Sequence, residues 1–254
     1  MAVAKEQSGV DPVVSYLIGA TNGIAYKRLR GCLEAYPIPT IRLPKSNGGL
    51  LLDVGCSWGR WSIAAAQKGY RVIGIDPSLG AVMAARRVAH QLGVDVDVVV
   101  GDARFLPFLS NLFDDVFSYS VIQHFSRSDA ALAVGEVGRV LKPDGISVIQ
   151  MPTQYGIRCL QHQIKRGFRD GIGFDVRYWS IPDLKRLFSS KIGLTAFSVD
   201  CYFGIGLQYS DIKLMPIWLQ VIVAMSELVR YLSLIFRPLV WLADSVYVRS
   251  VKRP

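Results

Sequence analysis

Three aspartates in the first half of the 254-residue chain stand where carboxylates can hold a nucleoside and an amino group. Asp53, Asp76 and Asp102 each follow a short apolar run, and about one strand and one helix separate each from the next. The carboxyl ends of parallel strands meet in one crevice, where open α/β sheets bind their ligands. A carboxylate there can accept hydrogen bonds from ribose hydroxyls, from an adenine amino group or from an ammonium. Each acid alone is equally compatible with a helix or turn cap, but the three together favour one common ligand.

The loop that follows Asp53 contains two glycines, Gly55 and Gly59, with three residues between them. Gly55 lets the backbone turn sharply without a Cβ clash, and Gly59 opens the next helix and allows a bound molecule to approach closely. A dinucleotide site requires another glycine in the middle of this loop, where the chain has Ser57. The spacing therefore disfavours a nicotinamide cofactor, and Asp53 in front of the loop suits a ligand with an amino group.

Strands and helices alternate around these residues. Such alternation produces right-handed βαβ units and hence a parallel sheet with helices on both faces. We therefore predict an α/β fold with a doubly wound, mostly parallel sheet. Apolar runs predict strands at 50–54, 72–75, 96–100, 116–120 and 146–151, and helical periodicity predicts helices at 59–68, 79–92 and 130–141.

The segments on either side of this alternation are predicted to cover it. Residues 1–12 have the composition of a loose N-terminus, and one domain is expected over residues 13–254. A helix predicted from Val13 to Glu34 forms an N-terminal cap over residues 13–36. The later predicted elements are a helix near 181–190, a strand near 195–202, a helical insert at about 211–243 and a last strand at 245–248.

Five segments of the alternating region resemble a known family. LLDVGCSWGRWSIAAAQKG resembles the first motif of the class I S-adenosylmethionine-dependent methyltransferases, and VIGIDPS resembles the acidic segment that follows it. VVGDARFLPF, FDDVFSYSVIQHF and EVGRVLKPDGISVIQMP resemble the later motifs in the same order. The resemblance covers about residues 50–152. It implies a Rossmann-like methyltransferase fold with a seven-stranded sheet, S-adenosylmethionine as cofactor and S-adenosylhomocysteine as product.

The resemblance also implies roles for individual residues. It places Asp53, Gly55, Cys56 and Gly59 at the methionine end of the cofactor, Asp76 at the ribose, Asp102 with Ala103 at the adenine, and Ser120 with Val121 at the methyl-transfer site. Ser57 and Pro77, in the same loops, complete the predicted cofactor-binding set. The chain departs from the family in the bulky run Trp58-Gly59-Arg60-Trp61. Arg60 is a candidate partner of the cofactor carboxylate, although an exposed helix face is the more common environment of an arginine.

His124 follows the fourth predicted strand, beside the expected methyl-transfer site. A hydroxyl acceptor profits from a base with a pKa near neutrality, so His124 is a candidate base. The alternative is a loop histidine bound to the backbone, because many methyltransferases act by proximity alone. Gln123, Arg177 and Tyr178 are candidate acceptor-binding residues. Between Arg158 and Lys191, eight Lys or Arg against three Asp are compatible with an acidic acceptor contacted by Arg177, or with a solvated basic rim.

These observations predict transfer of a methyl group from S-adenosylmethionine to a small-molecule, glycan or lipid-linked acceptor, with oxygen as the methylated atom. One alternative is a methyltransferase that acts on RNA or protein, and another is an inactive cofactor-binding homologue. Ser120 to Gln123 stand in place of the Asn-Pro-Pro-Tyr-type tetrapeptide of amide- and base-methylating members. Since no RRM or zinc-finger motif is present either, no nucleic-acid partner is expected.

Composition constrains the compartment and the partners. The four cysteines form no CxxC pair and have no histidine at metal-ligand spacing, which predicts free thiols and no metal site. Residues 1–11 lack the apolar core of a signal peptide, so a cytoplasmic location is expected. The formal net charge of +9 is compatible with general solubility and also with an acidic partner or a membrane surface.

Residues 215–243 are unusually apolar, and their polar residues form one narrow helical stripe from Glu227 onward. Glu227, Arg230 and Arg237 interrupt the ~20 apolar residues that a membrane span needs. The segment is therefore predicted to be a helical cap, either over the acceptor pocket or in a membrane interface. In the second arrangement its two tryptophans lie at head-group depth, its arginines face lipid phosphates, and the protein lies at the cytoplasmic face of a membrane.

Overall fold

The computed structural model describes residues 9–204 and 206–254 and centres on one seven-stranded sheet. The strand order is β3-β2-β1-β4-β5-β7-β6; the first five strands pair in parallel, and β7 runs antiparallel to both of its neighbours. The predicted doubly wound, mostly parallel α/β sheet is thereby confirmed. The strands are β1 (Leu50–Val54), β2 (Arg71–Asp76), β3 (Asp97–Val100), β4 (Phe113–Ser118), β5 (Leu141–Pro152), β6 (Gly193–Cys201) and β7 (Ser245–Lys252).

Helices pack on both faces of this sheet. Leu51, Leu52 and Val54 of β1 are consequently buried whichever face they point to. Serines define several helix starts: the hydroxyls of Ser78 and Ser126 accept backbone N–H groups in the first turns of α3 and α4. The helices are α1 (Pro12–Thr21), α2 (Arg60–Ala66), α3 (Leu79–Gln91), α4 (Arg127–Val140), α5 (Ile157–Lys165), α6 (Ile181–Lys191) and α7 (Ile217–Ile235).

The N-terminal segment is not the continuous helix predicted at 13–34. The chain turns after α1 at Gly23, with a φ of 119°, and continues as a 3₁₀ helix at Ile24–Leu29. Glycine adopts such a φ without the strain that a Cβ would impose, and this explains the break. Of the predicted loose N-terminus, residues 1–8 lie outside the described residues, whereas Asp11 is buried and caps α1.

Two strand boundaries also differ from the prediction. β4 ends at Ser118, so Ser120 lies in the loop beyond it, with a φ of 60°. β5 begins at Leu141, directly after α4, rather than at residue 146, and its pairing with β4 shifts register near Phe113. The first difference matters for function, because it moves Ser120 from a strand into a loop.

β6 and β7 form an antiparallel hairpin that a long excursion interrupts. Cys201 in β6 pairs with Ser245 in β7, so residues 202–244 leave and re-enter the sheet at the same point. The excursion carries α7 between two 3₁₀ helices, Tyr209–Leu214 and Arg237–Leu242. The helical insert expected at about 211–243 lies within this excursion.

α7 turns its polar side towards the protein. Ser226 and Ser233 are buried, and Glu227 accepts hydrogen bonds from Arg42 Nη2 at 3.0 Å and from Arg230 Nε at 2.8 Å. The expectation that both arginines of this segment face lipid phosphates is therefore wrong for Arg230, whose guanidinium is paired inside the fold. The exposed apolar residues of the helix include Ile217, Trp218, Val221, Met225, Leu228, Leu232 and Ile235.

Among the described residues, α7 is the one helix that is long and apolar enough, by length and composition, to cross a membrane. About 22% of its apolar window is buried inside the fold. The ion pair of Glu227 with Arg42 and the buried Leu219 and Val223 attach one side of α7 to the protein, and its other side is exposed.

Candidate active site

The loop between β1 and α2 is pressed against the loop after β4. The backbone N–H groups of Gly55 and Cys56 donate to the carbonyl oxygen of Ile75, at 2.7 and 3.0 Å. Gly55 has a φ of 76°, and a Cβ at this position would lie 2.2 Å from Val121 Cγ2. Only glycine fits such a backbone and such a contact. The two loops therefore lie against each other at this edge of the sheet. Residues 53–59, 76–78, 101–104 and 120–121, at the ends of β1 to β4, are called the cofactor crevice below.

Ser57 stands inside the same loop in a left-handed conformation, with a φ of 48°. Its backbone N–H donates to Asp76 Oδ2 at 2.9 Å. Its Oγ is buried and, within the described part of the chain, has no hydrogen-bond partner. A buried hydroxyl without a partner costs free energy, so this oxygen fits a polar atom of a bound ligand.

Asp53 lies beneath the glycine loop rather than in open solvent. It is buried, and Ser62 Oγ donates to its Oδ2 at 2.6 Å. Burial, together with the nearby charge of Asp76, raises the pKa of the Asp53 carboxyl to about 7. An ammonium group above the loop would favour the ionised form, which is the arrangement expected for the methionine end of the cofactor.

Two backbone N–H groups, one before and one after Asp76 in the chain, orient its carboxylate. Its Oδ2 accepts from Ser57 N and its Oδ1 accepts from Ser78 N, each at 2.9 Å, with Pro77 between the strand end and the start of α3. These bonds leave lone pairs on both carboxylate oxygens for further donors. The side chain is therefore fixed in place at the end of β2, where ribose hydroxyls are expected.

Asp102 follows the end of β3, as predicted, but its carboxylate already has a strong partner. Arg104 donates to it through Nε at 3.0 Å and through Nη2 at 2.6 Å. These bonds lower the pKa of Asp102 and keep it ionised. Arg104 in turn reaches Asp129 in α4, so an adenine amino group would share this carboxylate with the guanidinium. Ala103, next to it, is buried in the crevice wall.

A second cavity, of about 480 Å³, opens beside the loop after β4 and is called the acceptor cavity below. Ser120 marks the junction with the cofactor crevice, because its neighbour Val121 contacts the glycine loop. Ser120 N donates to Gln150 Oε1 at 3.0 Å, which fixes the loop in its left-handed conformation. The polar side chains in the cavity wall include Gln123, Gln150, Arg158, His162, Lys165 and Tyr178.

The histidine in this wall is His162, not His124. His162 Nδ1 lies 2.7 Å from the Tyr178 hydroxyl oxygen. His162 lies on α5, and its place beside the segment at 176–178 depends on tertiary packing rather than on a local sequence pattern. The sequence feature that could have identified His162 is the presence of one histidine and one tyrosine in the two segments that follow β5.

His124 and Arg177 instead hold the backbone around residues 171–175. His124 stacks on the Phe174 ring with centroids 3.9 Å apart, and its Nδ1 lies 2.7 Å from the Phe174 carbonyl oxygen. Burial lowers the pKa of His124. Arg177 donates to the carbonyl oxygens of Gly171 and His124, at 2.8 and 2.6 Å. Neither side chain lines the acceptor cavity, so their positions do not support the roles predicted for them in proton removal and acceptor binding.

Arg60 joins the crevice to the outer segments. It is buried, and it donates to the Pro37 carbonyl oxygen at 2.8 Å and to the Tyr26 hydroxyl at 3.0 Å. It also forms an ion pair with Asp211, which is buried as well. This arginine is therefore neither on an exposed helix face nor free for the cofactor carboxylate. Trp58, from the same bulky run, is buried and donates to the Asn22 side chain at 3.2 Å.

Known proteins match this chain both in sequence motifs and in fold. Residues 51–145 match the family model of a methyltransferase domain. This segment of the chain is a methyltransferase domain, and its motifs are those of the S-adenosylmethionine-dependent class. A magnesium protoporphyrin IX methyltransferase from Synechocystis, solved with bound S-adenosylhomocysteine, superimposes with a TM-score of 0.55 at 16% identity, over 83% of this chain and 76% of that one. At this identity the match establishes the shared methyltransferase fold.

Two curated relatives match part of the chain. The ubiquinone biosynthesis O-methyltransferase of Azorhizobium caulinodans is 32% identical over 99 residues, which are 39% of this chain and 38% of that protein. The demethylmenaquinone methyltransferase of Thermobifida fusca is 32% identical over 148 residues, which are 58% of this chain and 62% of that protein. The chain therefore spans less than two thirds of either relative.

S-adenosylmethionine is the cofactor of this family, and the crevice fits it. The free Ser57 Oγ and the close glycine loop suit the methionine end, with Asp53 below them. The backbone-oriented Asp76 suits the ribose, and Asp102 at the end of β3 suits the adenine.

Proposed function

We propose that the chain transfers a methyl group from S-adenosylmethionine to a hydroxyl oxygen of a small-molecule acceptor held in the acceptor cavity. The observation that carries the proposal is the pair His162 and Tyr178 in the wall of that cavity, which also reaches Ser120 at the edge of the cofactor crevice. The names of the two relatives, a ubiquinone biosynthesis O-methyltransferase and a demethylmenaquinone methyltransferase, support a small-molecule acceptor.

The bound sulfonium supplies the methyl carbon, which the acceptor oxygen takes as S-adenosylhomocysteine leaves. The hydroxyl proton goes to His162. When its Nδ1–H donates to the Tyr178 oxygen, Nε2 keeps a lone pair that accepts the proton, and imidazole exchanges protons readily near neutral pH. Burial raises the pKa of Tyr178 to about 12. The phenol therefore keeps its proton at neutral pH and can donate a hydrogen bond to the acceptor.

An acidic acceptor is favoured by the charges around the cavity. Arg158 and Lys165, both on α5, line it, and no acidic side chain other than Asp244 is in the described part of its wall. Asp244 Oδ1 is occupied, because it accepts from the backbone N–H groups of Arg158 and Cys159 at 2.8 and 2.9 Å. The cavity is therefore net positive, and recognition of an acidic group is assigned to Arg158 and Lys165 in place of Arg177.

The test uses S-adenosylmethionine with a ¹³C-labelled methyl group and separated lipid, small-molecule, glycan, RNA and protein fractions of an extract. We expect the label in the lipid or small-molecule fraction, on oxygen by its NMR shift, and much less label with the Asp76→Ala variant at a low concentration of the cofactor. Label in RNA or protein would contradict the proposed acceptor class. Cofactor binding without any labelled product would instead indicate an inactive cofactor-binding homologue.

We also propose that the protein binds the cytoplasmic face of a membrane through the exposed side of α7 and the 3₁₀ helix that follows it. Leu228, Leu234 and Ile235 on this side are exposed, and Trp241 lies beyond them. A contiguous exposed apolar surface of this kind is typical of membrane or protein contact. The net charge of +9 favours a bilayer with anionic lipids.

Co-sedimentation with vesicles of anionic phospholipid tests this contact. Leu228→Glu should release the protein into the supernatant, because it places a charge in the apolar surface. Leu194→Glu, on the edge strand β6, alters a residue that is also exposed and should leave binding unchanged. A dimer that forms without vesicles and disappears in Leu228→Glu would assign the surface to a second copy of the chain and overturn the proposal.

A further inference from the structure

An apolar groove runs along α7 and meets the acceptor cavity. The groove has a volume of about 810 Å³, within the range of cavities that hold small ligands. It lies between α7 and the 3₁₀ helix Ile24–Leu29. Ile24 and Arg158 line both the groove and the acceptor cavity. The two spaces therefore adjoin at these two residues, and a ligand that occupied both would pass beside them.

The groove and the cavity differ in chemistry. The groove is lined mainly by hydrocarbon and ring surfaces, whereas the acceptor cavity is lined mainly by hydrogen-bonding side chains. The charged side chains at the groove, Lys27, Arg28 and Arg158, are all basic. The apolar side chains that line it include Ile24, Phe203, Trp218, Leu219, Val221 and Met225.

We propose that this groove binds the hydrocarbon tail of an amphiphilic acceptor whose polar, acidic head enters the acceptor cavity. The inference rests on the proposed function, since it names the class of molecule that the methyltransferase modifies. A hydrocarbon chain is the occupant that fits an apolar space of this size, and the basic side chains at its edge complement an acidic head group. Arg158, at the junction, is placed where head and tail meet.

The position of the groove also explains how such a molecule arrives. Trp218 and Val221 line the groove and are themselves exposed. Further along the same helix, Leu228 and Ile235 continue the exposed apolar surface. A tail can therefore pass from a bilayer along α7 into the groove without crossing polar surface, while the head reaches the acceptor cavity.

The binding test needs neither cofactor nor catalysis. A dansyl-labelled fatty acid is titrated into the full chain in detergent-free buffer, and saturated fatty acids of increasing length compete with it. Since each buried methylene contributes about 0.8 kcal/mol, affinity should rise about fourfold for each added carbon until the groove is filled. Affinity that does not depend on chain length would overturn the inference.

Two substitutions on one helix face separate the groove from the membrane surface. Val221 and Leu228 lie two turns apart and are 56% and 54% exposed, but only Val221 lines the groove. Val221→Glu should weaken the probe by about tenfold or more, because it places a charge against the tail. Leu228→Glu should bind the probe like the parent protein. Equal affinity in both variants, or equal loss in both, would contradict the assignment.

Met225→Glu provides a second groove variant, and equal melting temperatures exclude unfolding as the cause of any loss. The outcome also separates this inference from the proposed function. Chain-length-dependent binding of the probe without transfer of labelled methyl to any acceptor would support the groove and refute the methyl transfer. Methyl transfer to an acceptor without a tail, together with no probe binding, would refute the groove alone.

Discussion

The cofactor crevice and the acceptor cavity share an edge of the sheet but are built in different ways. The crevice comes from four successive strand-to-loop junctions, and its shape is fixed by backbone contacts such as that of Gly55 with Val121. The cavity comes from segments far apart in the chain: the 3₁₀ helix after α1, α5 and the excursion at 202–244. The candidate cofactor site is therefore built from local sequence, whereas the candidate acceptor site is built by long-range packing.

One buried cluster joins the two regions. Arg60 directly follows the glycine loop of the crevice, and its ion pair with Asp211 reaches into the excursion. Tyr26, from the N-terminal segment, completes the cluster by donating its hydroxyl to Asp211. If the two regions act independently, substitutions in the crevice should change cofactor affinity, and substitutions in the cavity should change the rate of methyl transfer. Substitutions in the cluster should change both.

The largest effect is expected in the acceptor cavity. His162→Ala should lower kcat about 10²–10⁴-fold with little change in cofactor affinity, because it removes the group that takes the hydroxyl proton. His124→Ala is the matched control and should lower kcat less than about fivefold, well under the usual effect of a general base. Steady-state rates and calorimetry with S-adenosylmethionine measure both. The reverse ranking of the two histidines would assign proton removal to His124.

The cluster that joins the regions should have the next largest effect. Asp211→Ala leaves the Arg60 guanidinium buried without its counter-charge, and removing one partner of a buried pair costs about 3–5 kcal/mol of the free energy of unfolding. The double variant Arg60→Met with Asp211→Ala should recover part of this loss, since no buried charge remains. Urea unfolding measures both. A single variant as stable as the parent would show that the ion pair of Arg60 with Asp211 does not stabilise the fold.

In the crevice, Asp76→Ala should weaken S-adenosylmethionine binding about 10- to 100-fold, the equivalent of roughly 1.5–3 kcal/mol for charge-assisted hydrogen bonds. Asp97→Ala, an exposed aspartate in β3, is the control and should bind normally. Calorimetry with the cofactor and with a nicotinamide dinucleotide checks both affinity and selectivity. Unchanged affinity in Asp76→Ala would remove Asp76 from the cofactor site.

Asp53 makes a smaller, pH-dependent contribution. Its folded carboxyl keeps a proton up to about pH 7, whereas its ordinary value is 3.8. Between these values the folded state holds more protons than the unfolded state, so stability falls as pH rises, by at most about 1.4 kcal/mol per pH unit. Asp53→Asn should remove this part of the slope, and Asp97→Asn should not. Unfolding curves at several pH values would contradict the assignment if both variants kept the parent slope.

The sequence predicted the crevice better than the cavity for a physical reason. Asp53, Asp76 and Asp102 lie at strand ends because apolar runs and helical periodicity already define the strand-to-helix junctions. The glycine positions follow from the same local geometry. His162 was missed because its partner, Tyr178, lies in a separate segment that only the packing of α5 brings within 2.7 Å.

The environment of Arg60 and the orientation of α7 also depend on contacts between distant segments, which local sequence does not show. A buried arginine is rare, so the composition around Arg60 favoured an exposed side chain or a ligand partner. Its three buried contacts come from residues 26, 37 and 211, which no local pattern relates. The polar stripe of α7 was found, but its direction was not, because a stripe that faces an internal ion pair has the same periodicity as one that faces solvent.

Because Cys201 pairs with Ser245, the excursion at 202–244 begins and ends at one point of the sheet and could be replaced as one segment. Closing a longer or shorter loop changes the closure entropy only logarithmically, so residues 202–244 can be exchanged for another segment while the β6–β7 register is preserved. The strand junctions at β1 to β4 lie on the other side of β5 and are joined to the excursion through the ion pair of Arg60 with Asp211. A replacement segment that keeps an acidic partner for Arg60 should therefore change the candidate acceptor site while preserving the candidate cofactor site.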